Sequence, residues 1–131
     1  MPTNLYAPVA LNGLQEENDP LFVYVFDVVL TSLQSLSDMV TINADADFLL
    51  RAIAVNSKTG IFKARFNRSG LYFLSNSYIH SNNLESDAAS PLPILPNMIF
   101  VAGSRIGIDI VDLSAAGNTI QIAFMGAKLI R

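Results

Sequence analysis

The sequence predicts an all-β domain, a jelly-roll-like antiparallel β-sandwich, that follows an extended N-terminal arm. Several short segments alternate apolar and polar side chains with a period of two, the pattern of a strand with one buried face. These segments are residues 48–53, 61–66, 105–110 and 119–124. Clusters of Gly, Asn, Asp and Ser separate them, and no stretch of useful length has helical spacing. We therefore assign residues 1–20 to the arm and residues 21–131 to the sandwich.

The composition is typical of a globular protein that associates with other protein subunits. A chain of 131 residues is long enough for one domain with a real core, without metal or disulfide staples. Hydrophobic residues make up 51% of the chain, and the mean hydropathy is +0.40. Apolar surface must therefore be buried inside the domain or against neighbours, and we expect association.

Charge and cysteine content argue against several classes of protein. The 8 cations do not cluster and the net charge is -3, whereas nucleic-acid binding needs a concentrated basic patch. No cysteine is present, so disulfides and thiolate chemistry are excluded.

The longest apolar run, residues 21–30, has half of the ~20 residues that a membrane-spanning helix needs. The first twenty residues lack the basic residues of a signal peptide. We expect neither a nucleic-acid nor a membrane partner.

Residues 1–20 contain Pro2, Pro8, Pro20 and Gly13, which favour an extended arm over regular structure. A disordered tail is an equally weighted alternative. The arm also carries scattered apolar side chains that a solvated tail would not need. We predict that these side chains bind an adjacent subunit as a strap; they are Leu5, Tyr6, Val9, Leu11 and Leu14.

The first strand of the domain is predicted at residues 21–30, which are dense in β-branched and aromatic side chains. Because this segment is apolar on both faces apart from Asp27, it is predicted to be a central strand. A carboxylate there needs a partner. The sequence offers Arg51, Arg65 or Arg105.

The next segments predict a connection followed by a hairpin. Residues 31–39 are rich in hydroxyl groups and suit a connection with at most one helical turn, and residues 40–42 could form a short strand. Residues 47–55 and 61–66 alternate on either side of a loop at residues 56–60 that ends in Gly. This arrangement predicts a hairpin.

The middle of the chain contains a second turn and a long polar segment. Residues 67–70 predict a turn, and residues 75–90 are predicted to form a surface loop where a partner binds, with Tyr78 and His80 as candidate contact residues. Residues 91–96 contain three prolines, which suit an extended edge strand better than a central one.

The last third of the chain predicts a second hairpin, which supplies much of the core. Residues 105–110 place three isoleucines on one face, and residues 119–124 place two isoleucines and a phenylalanine on one face. The loop between them is rich in turn residues, so we expect the two strands to pair side by side.

No pattern in the sequence specifies catalysis. His80 has no G-x-S-x-G elbow and is predicted to be an exposed loop histidine. Asp45 with Asp47, or Asp109 with Asp112, could ligate calcium, but no Gly-punctuated ligand loop surrounds either pair. Turn and strand-end capping explains these carboxylates more simply. We predict no catalytic, metal or cofactor residues and no enzymatic activity.

The order of features in residues 45–131 resembles small structural proteins of tailed bacteriophages, notably capsid cement or decoration proteins built on β-sandwiches. The resemblance rests on strand and turn residues, and its closing part carries most weight. The segments are Asp-Phe-Leu-Leu-Arg at 47–51, Gly-Ile-Phe at 60–62 with Arg65, Leu-Tyr-Phe-Leu-Ser at 71–75, Pro-Asn-Met-Ile-Phe at 96–100, Gly-Ser-Arg-Ile at 103–106, Ile-Asp-Ile-Val-Asp-Leu-Ser at 108–114, Asn-Thr-Ile-Gln-Ile at 118–122 and Phe-Met-Gly-Ala-Lys at 124–128.

This resemblance implies a protein of the virion that locks shell subunits together. Its partner would be the major capsid protein, and it would form a homo-oligomer, a dimer or trimer, with no cofactor. It would be assembled in the host cytoplasm and reside on the capsid surface. The alternative is a receptor- or glycan-binding β-sandwich module of a phage head fibre or tail. The absence of Trp disfavours a sugar site, because such sites favour exposed aromatic rings.

Overall fold

The computed structural model describes residues 19–57, 60–84 and 91–130. These residues form nine strands and one helical turn, and no helix among them is long and apolar enough to cross a membrane. The elements in chain order are β1 (Leu21–Leu30), β2 (Ser35–Thr41), β3 (Asp47–Ser57), β4 (Phe62–Arg68), β5 (Leu71–Phe73), β6 (Ile79–His80), α1 (Ser81–Leu84), β7 (Leu92–Phe100), β8 (Arg105–Asp112) and β9 (Asn118–Leu129).

The strands form two sheets that enclose the core. The first sheet has the order β1-β9-β3-β7, and the second has the order β2-β8-β4-β5, with β6 also pairing with β4. The pairs β1/β9, β2/β8, β3/β7 and β4/β5 are all antiparallel. Strands from the two ends of the chain therefore pair with each other, and this pairing continues inward to the hairpin β4/β5. This arrangement is a jelly roll, and the predicted fold class is confirmed.

The two hairpins predicted from the sequence, between residues 47–55 and 61–66 and between residues 105–110 and 119–124, do not form, so both predictions are wrong. β8 lies in the second sheet and β9 in the first, and β4 and β3 are divided in the same way. The two connections instead cross between the sheets and touch each other, since Leu113 N donates to Ile61 O at 3.0 Å and Asn118 Nδ2 donates to Gly60 O at 2.8 Å. Alternation specifies which side of a strand is buried, but it does not specify the neighbouring strand.

The turn at residues 67–70 does close a hairpin, between β4 and β5. Ser69 and Gly70 both have positive φ, 53° and 84°, as a two-residue type I′ turn requires. The side chain of Asn67 supports the turn, because Gly70 N donates to Asn67 Oδ1 at 3.1 Å.

The predicted inward faces are confirmed. The alternating apolar residues of β4, β8 and β9 are fully buried in one core cluster between the sheets. Each buried Phe or Ile side chain among them contributes about 1.5–3 kcal/mol to folding. The residues at 0% exposure are Phe62, Ala64, Phe66, Ile106, Ile108, Ile110, Ile120, Ile122 and Phe124.

A bulge in β3 changes the alternation that the sequence predicts for residues 48–53. The register against both neighbouring strands shifts between Leu50 and Ala52. Phe48 and Leu50 face the core before the shift, and Ile53 faces it afterwards. An extra residue in one strand of a ladder has this effect.

β1 is an edge strand, so its prediction as a central strand is wrong. Every second residue is exposed on the side away from the core: Leu21 by 78%, Val25 by 50% and Val29 by 74%. Asp27 lies on this exposed side, where Gln121 Nε2 donates to its Oδ1 at 2.8 Å. The predicted arginine partner was therefore wrong, because the carboxylate is not buried and a neighbouring amide suffices.

β7 is the other edge of the first sheet, as its prolines predicted. Pro96 lies in the part of β7 that the pairing with β3 skips, between Pro93, which is opposite Ala52, and Met98, which is opposite Leu50. A proline cannot donate to a ladder. Residues 31–39 differ from the prediction, since β2 already begins at Ser35.

The residue before β1 is hydrogen-bonded to the sandwich. Pro20 O accepts a hydrogen bond from Lys128 N at 3.0 Å, and the preceding residue, Asp19, is only 7% exposed. The backbone pairing of β1 with β9 therefore extends to Pro20, the last residue assigned to the arm. Residues 1–18 lie outside the described residues.

Candidate functional site

The structure describes two of the seven predicted partner-binding residues. Tyr78 and His80 lie beside β4 in the second sheet. His80 belongs to the short strand β6 and is half-buried, so its prediction as an exposed loop residue is wrong. The other five lie outside the described residues; they are Leu5, Tyr6, Val9, Leu11 and Leu14.

The segment at 75–90 is not entirely a surface loop. Residues 79–84 form β6 and α1, and Leu84 is 1% exposed within the core cluster. Ser81 is equally buried, and its Oγ accepts a hydrogen bond from Phe62 N at 3.2 Å. This packing fixes the position of the preceding residue, His80, against β4.

The outer side of the second sheet carries a group of polar and aromatic side chains that we call the tyrosine–arginine cluster. β8 supplies the centre of the cluster, β2 and β4 lie on either side of it, and β5 and the residue before β6 provide the rings. Ser37, Asp109 and Arg65 are direct cross-strand neighbours, which brings their side chains together on one face. The members are Ser37, Lys63, Arg65, Tyr72, Tyr78 and Asp109.

Asp109 accepts three hydrogen bonds in the cluster. Ser37 Oγ donates to Oδ1 at 2.8 Å, Arg65 Nε donates to Oδ2 at 2.9 Å, and the Tyr72 hydroxyl donates to Oδ2 at 3.0 Å. Only 14% of the Asp109 side chain is exposed, against 29% for Arg65. The carboxylate is therefore a fixed acceptor that orients its three neighbours.

The guanidinium of Arg65 lies between two aromatic rings. Its central carbon is 4.2 Å from the ring centroid of Tyr72 and 4.5 Å from that of Tyr78. Lys63 Nζ also lies 5.0 Å from the Tyr78 centroid. Both distances from Arg65 are within the range of cation–π attraction, so rings and cation hold each other in place.

These contacts shift the protonation equilibria of the cluster. Burial opposes ionisation of Asp109, but the hydrogen bonds from Ser37, Arg65 and Tyr72 outweigh it and lower the pKa of the carboxyl. The hydrogen bond to Asp109 raises the pKa of Arg65. The same acceptor, with a contribution from burial, raises the pKa of Tyr72. The ion pair and the neutral phenol are therefore stable across the physiological range.

His80 lies at the border of the cluster, directly opposite Lys63 across the β4/β6 pair. Its Nδ1 accepts a hydrogen bond from Asn82 N at 3.1 Å. The neutral ring then carries its hydrogen on Nε2. The structure thus brings His80 and Tyr78 to one surface, but places His80 outside the hydrogen bonds of Asp109.

A shallow groove lies next to the cluster along β8. Gly107 and Arg105 lie two and four residues before Asp109 on the same side, and they line the groove together with Met39 and Ser104. The side chain of Asn67 covers Gly107, where a Cβ would overlap it.

The carboxylates considered as calcium ligands serve structural roles. Asp45 pairs with Lys128 Nζ at 2.7 Å, and Asp47 Oδ1 accepts from Ala102 N at 2.8 Å. Asp112 is fully buried and accepts from Leu33 N at 3.0 Å and from Ser114. Within residues 19–57, 60–84 and 91–130, no three metal-ligating side chains cluster.

The cluster brings two tyrosine rings and two cationic side chains to one surface. The cluster presents fixed tyrosine edges and cationic nitrogens, the kinds of group that dominate protein interfaces. Sequence reasoning named Tyr78 as a candidate contact residue and did not name Arg65, Tyr72 or Asp109. Alternation indicated that Arg65 and Asp109 point outward, but their meeting depends on β4 and β8 being neighbours.

Comparisons with known proteins add no relative. No family model matches the chain, and neither the curated proteins nor the solved structures contain a match to it.

Proposed function

We propose that this chain is a structural protein of a tailed-bacteriophage virion, a cement or decoration protein that binds the assembled capsid shell non-covalently. The observation that carries the proposal is the clamp of Arg65 between Tyr72 and Tyr78 on the open face of the second sheet. Because the clamp fixes these side chains before binding, less rotamer entropy is lost when a partner docks.

The choice of a phage shell rests on the residue patterns in residues 45–131. Jelly rolls occur in viral capsid proteins, lectins and cupins, so the fold is compatible with the proposal but does not select it. A protein that binds the assembled shell and not the dissociated subunits stabilises the shell by mass action, without catalysis or a cofactor. The partners would be the major capsid protein and further copies of this chain, on the capsid surface.

Co-sedimentation with capsid shells tests the proposal. The full chain is mixed with shells of the major capsid protein encoded in the same genome, and the mixture is pelleted. We expect the chain to pellet with the shells and to raise the temperature at which they dissociate. A chain that stays in the supernatant at saturating shell concentration would overturn the proposal.

A matched pair of variants tests whether the cluster is the attachment surface. Tyr78→Ala removes one ring of the clamp and should weaken shell binding by about tenfold or more. Thr119→Ala, at an exposed position on the opposite sheet, should bind like the unmodified chain. Equal affinities of the two variants would place the contact elsewhere.

One feature of the same cluster favours a second candidate, the receptor- or glycan-binding module. Tyr72 is 45% exposed and lies beside a carboxylate, and an aromatic face next to polar groups suits a sugar ring. A glycan array probed with the chain and with Tyr72→Ala distinguishes the two functions. Binding that is lost in the variant, with no binding to shells, would select the glycan function.

A further inference from the structure

The side of the first sheet that faces away from the core is buried at one end. Leu21, Ala127 and Leu49 are successive cross-strand neighbours, so they point to the same side. Leu21 is 78% exposed, yet Leu49 is 1% exposed and Ala127 is 0% exposed. Neither buried residue belongs to the core cluster. Among the described elements, β3 and β9 make their main contacts with neighbouring strands of the same sheet.

The chain enters the sandwich at this buried end. Pro20 extends the pairing of β1 with β9 through its carbonyl, which accepts from Lys128 N. The preceding residue, Asp19, is 7% exposed, and its Oδ2 has no hydrogen-bond partner within the described residues. A buried carboxylate oxygen is costly without a donor, so this position calls for a further polar neighbour.

An apolar groove continues from the buried end across the outward side of the first sheet. Val23, Ala52 and Met125 line it, and they are cross-strand neighbours on β1, β3 and β9. Arg51, at the bulge of β3, also lines the groove and contributes a positive charge to it. The groove therefore offers an apolar floor with positive charge at one side.

We propose that residues 1–18 of the same chain dock in this groove and over the buried end, running back along the outward side of the first sheet. The segment joins the sandwich at Asp19, beside the groove. At about 3.3 Å per extended residue, 18 residues reach roughly 60 Å, which exceeds the ~33 Å length of the ten-residue β1. Length and attachment point therefore both allow docking on the chain's own sheet.

The chemistry of residues 1–18 complements that of the groove. The segment carries apolar side chains that match the floor, and Glu16 and Glu17 with no Lys or Arg. Two carboxylates close to the attachment point have the charge opposite to that of Arg51. Residues 1–18 thus bind the first sheet of their own chain, whereas the sequence predicted binding to an adjacent subunit. This inference does not depend on the proposed function.

Paramagnetic relaxation in the full chain tests this docking. Because the protein has no native cysteine, Leu11→Cys takes a single nitroxide label. We expect broadening of the methyl resonances of Val23, Ala52 and Met125, but not of Met39 on the second sheet. The broadening should persist when labelled chains are diluted with excess unlabelled chains. Loss of broadening on dilution would identify a second copy as the acceptor, and absence of broadening would exclude this sheet; either result overturns the proposal.

A matched pair of lysine variants tests the groove itself. Val23 is 42% exposed on the groove side, and Met39 is 49% exposed on the second sheet. Val23→Lys places a charge on the apolar floor and should abolish the broadening of Ala52 and Met125. Met39→Lys should leave it unchanged. Persistent broadening in Val23→Lys would show that the groove does not hold the segment.

Discussion

The rings of Phe66 and Phe124 meet edge to face, with their centroids 5.7 Å apart and their planes at 90°. Phe66 belongs to β4 in the second sheet and Phe124 to β9 in the first, and both are fully buried. The pair therefore joins the two sheets through side chains alone, where no backbone hydrogen bond crosses.

Truncating Phe66 should remove this link. We expect Phe66→Ala to lower the free energy of unfolding by about 3–5 kcal/mol, because the cavity lies in a closely packed core. Phe73→Ala is the comparison, since Phe73 also links the sheets, with its ring 5.8 Å from that of Phe100 in β7, but is only partly buried. Urea denaturation measures both variants, and we expect the smaller loss for Phe73→Ala; an equal loss would contradict the greater importance of the fully buried Phe66–Phe124 contact.

A charge inside the sandwich should be far more damaging than one outside it. Ile108 is 0% exposed, so Ile108→Asp should prevent stable folding because it buries an unpaired carboxylate. Gln121 is exposed beside Asp27, and Gln121→Lys should change stability by no more than about 0.5 kcal/mol. Equal urea midpoints for these variants would show that the assigned faces are wrong.

The cluster should make stability depend on pH in the acid range. The pKa of Asp109 is lowered in the folded state, so its contribution is complete above the ordinary carboxyl pKa of about 3.9. The contribution is lost as the pH falls from there through the lower folded pKa. Asp109→Asn should have a lower urea midpoint at pH 6 and a flatter decline toward pH 2. A variant with the same acid dependence as the unmodified chain would contradict this assignment.

Two glycines should differ in their tolerance of alanine. A Cβ at Gly126 would overlap the carbonyl oxygen of Leu49, which is part of the backbone of β3, whereas a Cβ at Gly107 would overlap the side-chain amide of Asn67, which can rotate away at the loss of its hydrogen bond to Gly70 N. We expect Gly107→Ala to cost about 1–3 kcal/mol, and Gly126→Ala to cost more because the backbone cannot move aside. Thermal unfolding of both variants checks the order, and a more stable Gly126→Ala would reverse it.

Alternation in the sequence was enough to predict the buried faces, but not the neighbours of each strand. Ile108 and Phe124 were predicted to face the core, and both do. Their strands were predicted to pair and instead lie in different sheets. A loop of Gly, Asn and Ser can close a hairpin or carry the chain across a sandwich, and local turn chemistry does not distinguish the two.

The candidate site was only partly predictable for the same reason. Tyr78 could be identified because it lies in a long polar segment, but its contact with Arg65 depends on how β5 and β6 pair with β4. The prediction for β1 failed in another way. Its two apolar faces indicated burial on both sides, whereas Leu21 and Val29 are exposed on an edge.

The nested pairing of the jelly roll also determines the order in which the chain can fold during its synthesis. β9 lies between β1 and β3 in the first sheet, so both strands leave the ribosome long before the neighbour that they share. The β4/β5 hairpin is local and can form early, whereas β1 has no partner in the first sheet until β9 is made. During that interval β1 lacks its ladder partner, and an unpaired strand with apolar side chains on both faces favours aggregation of an incomplete chain.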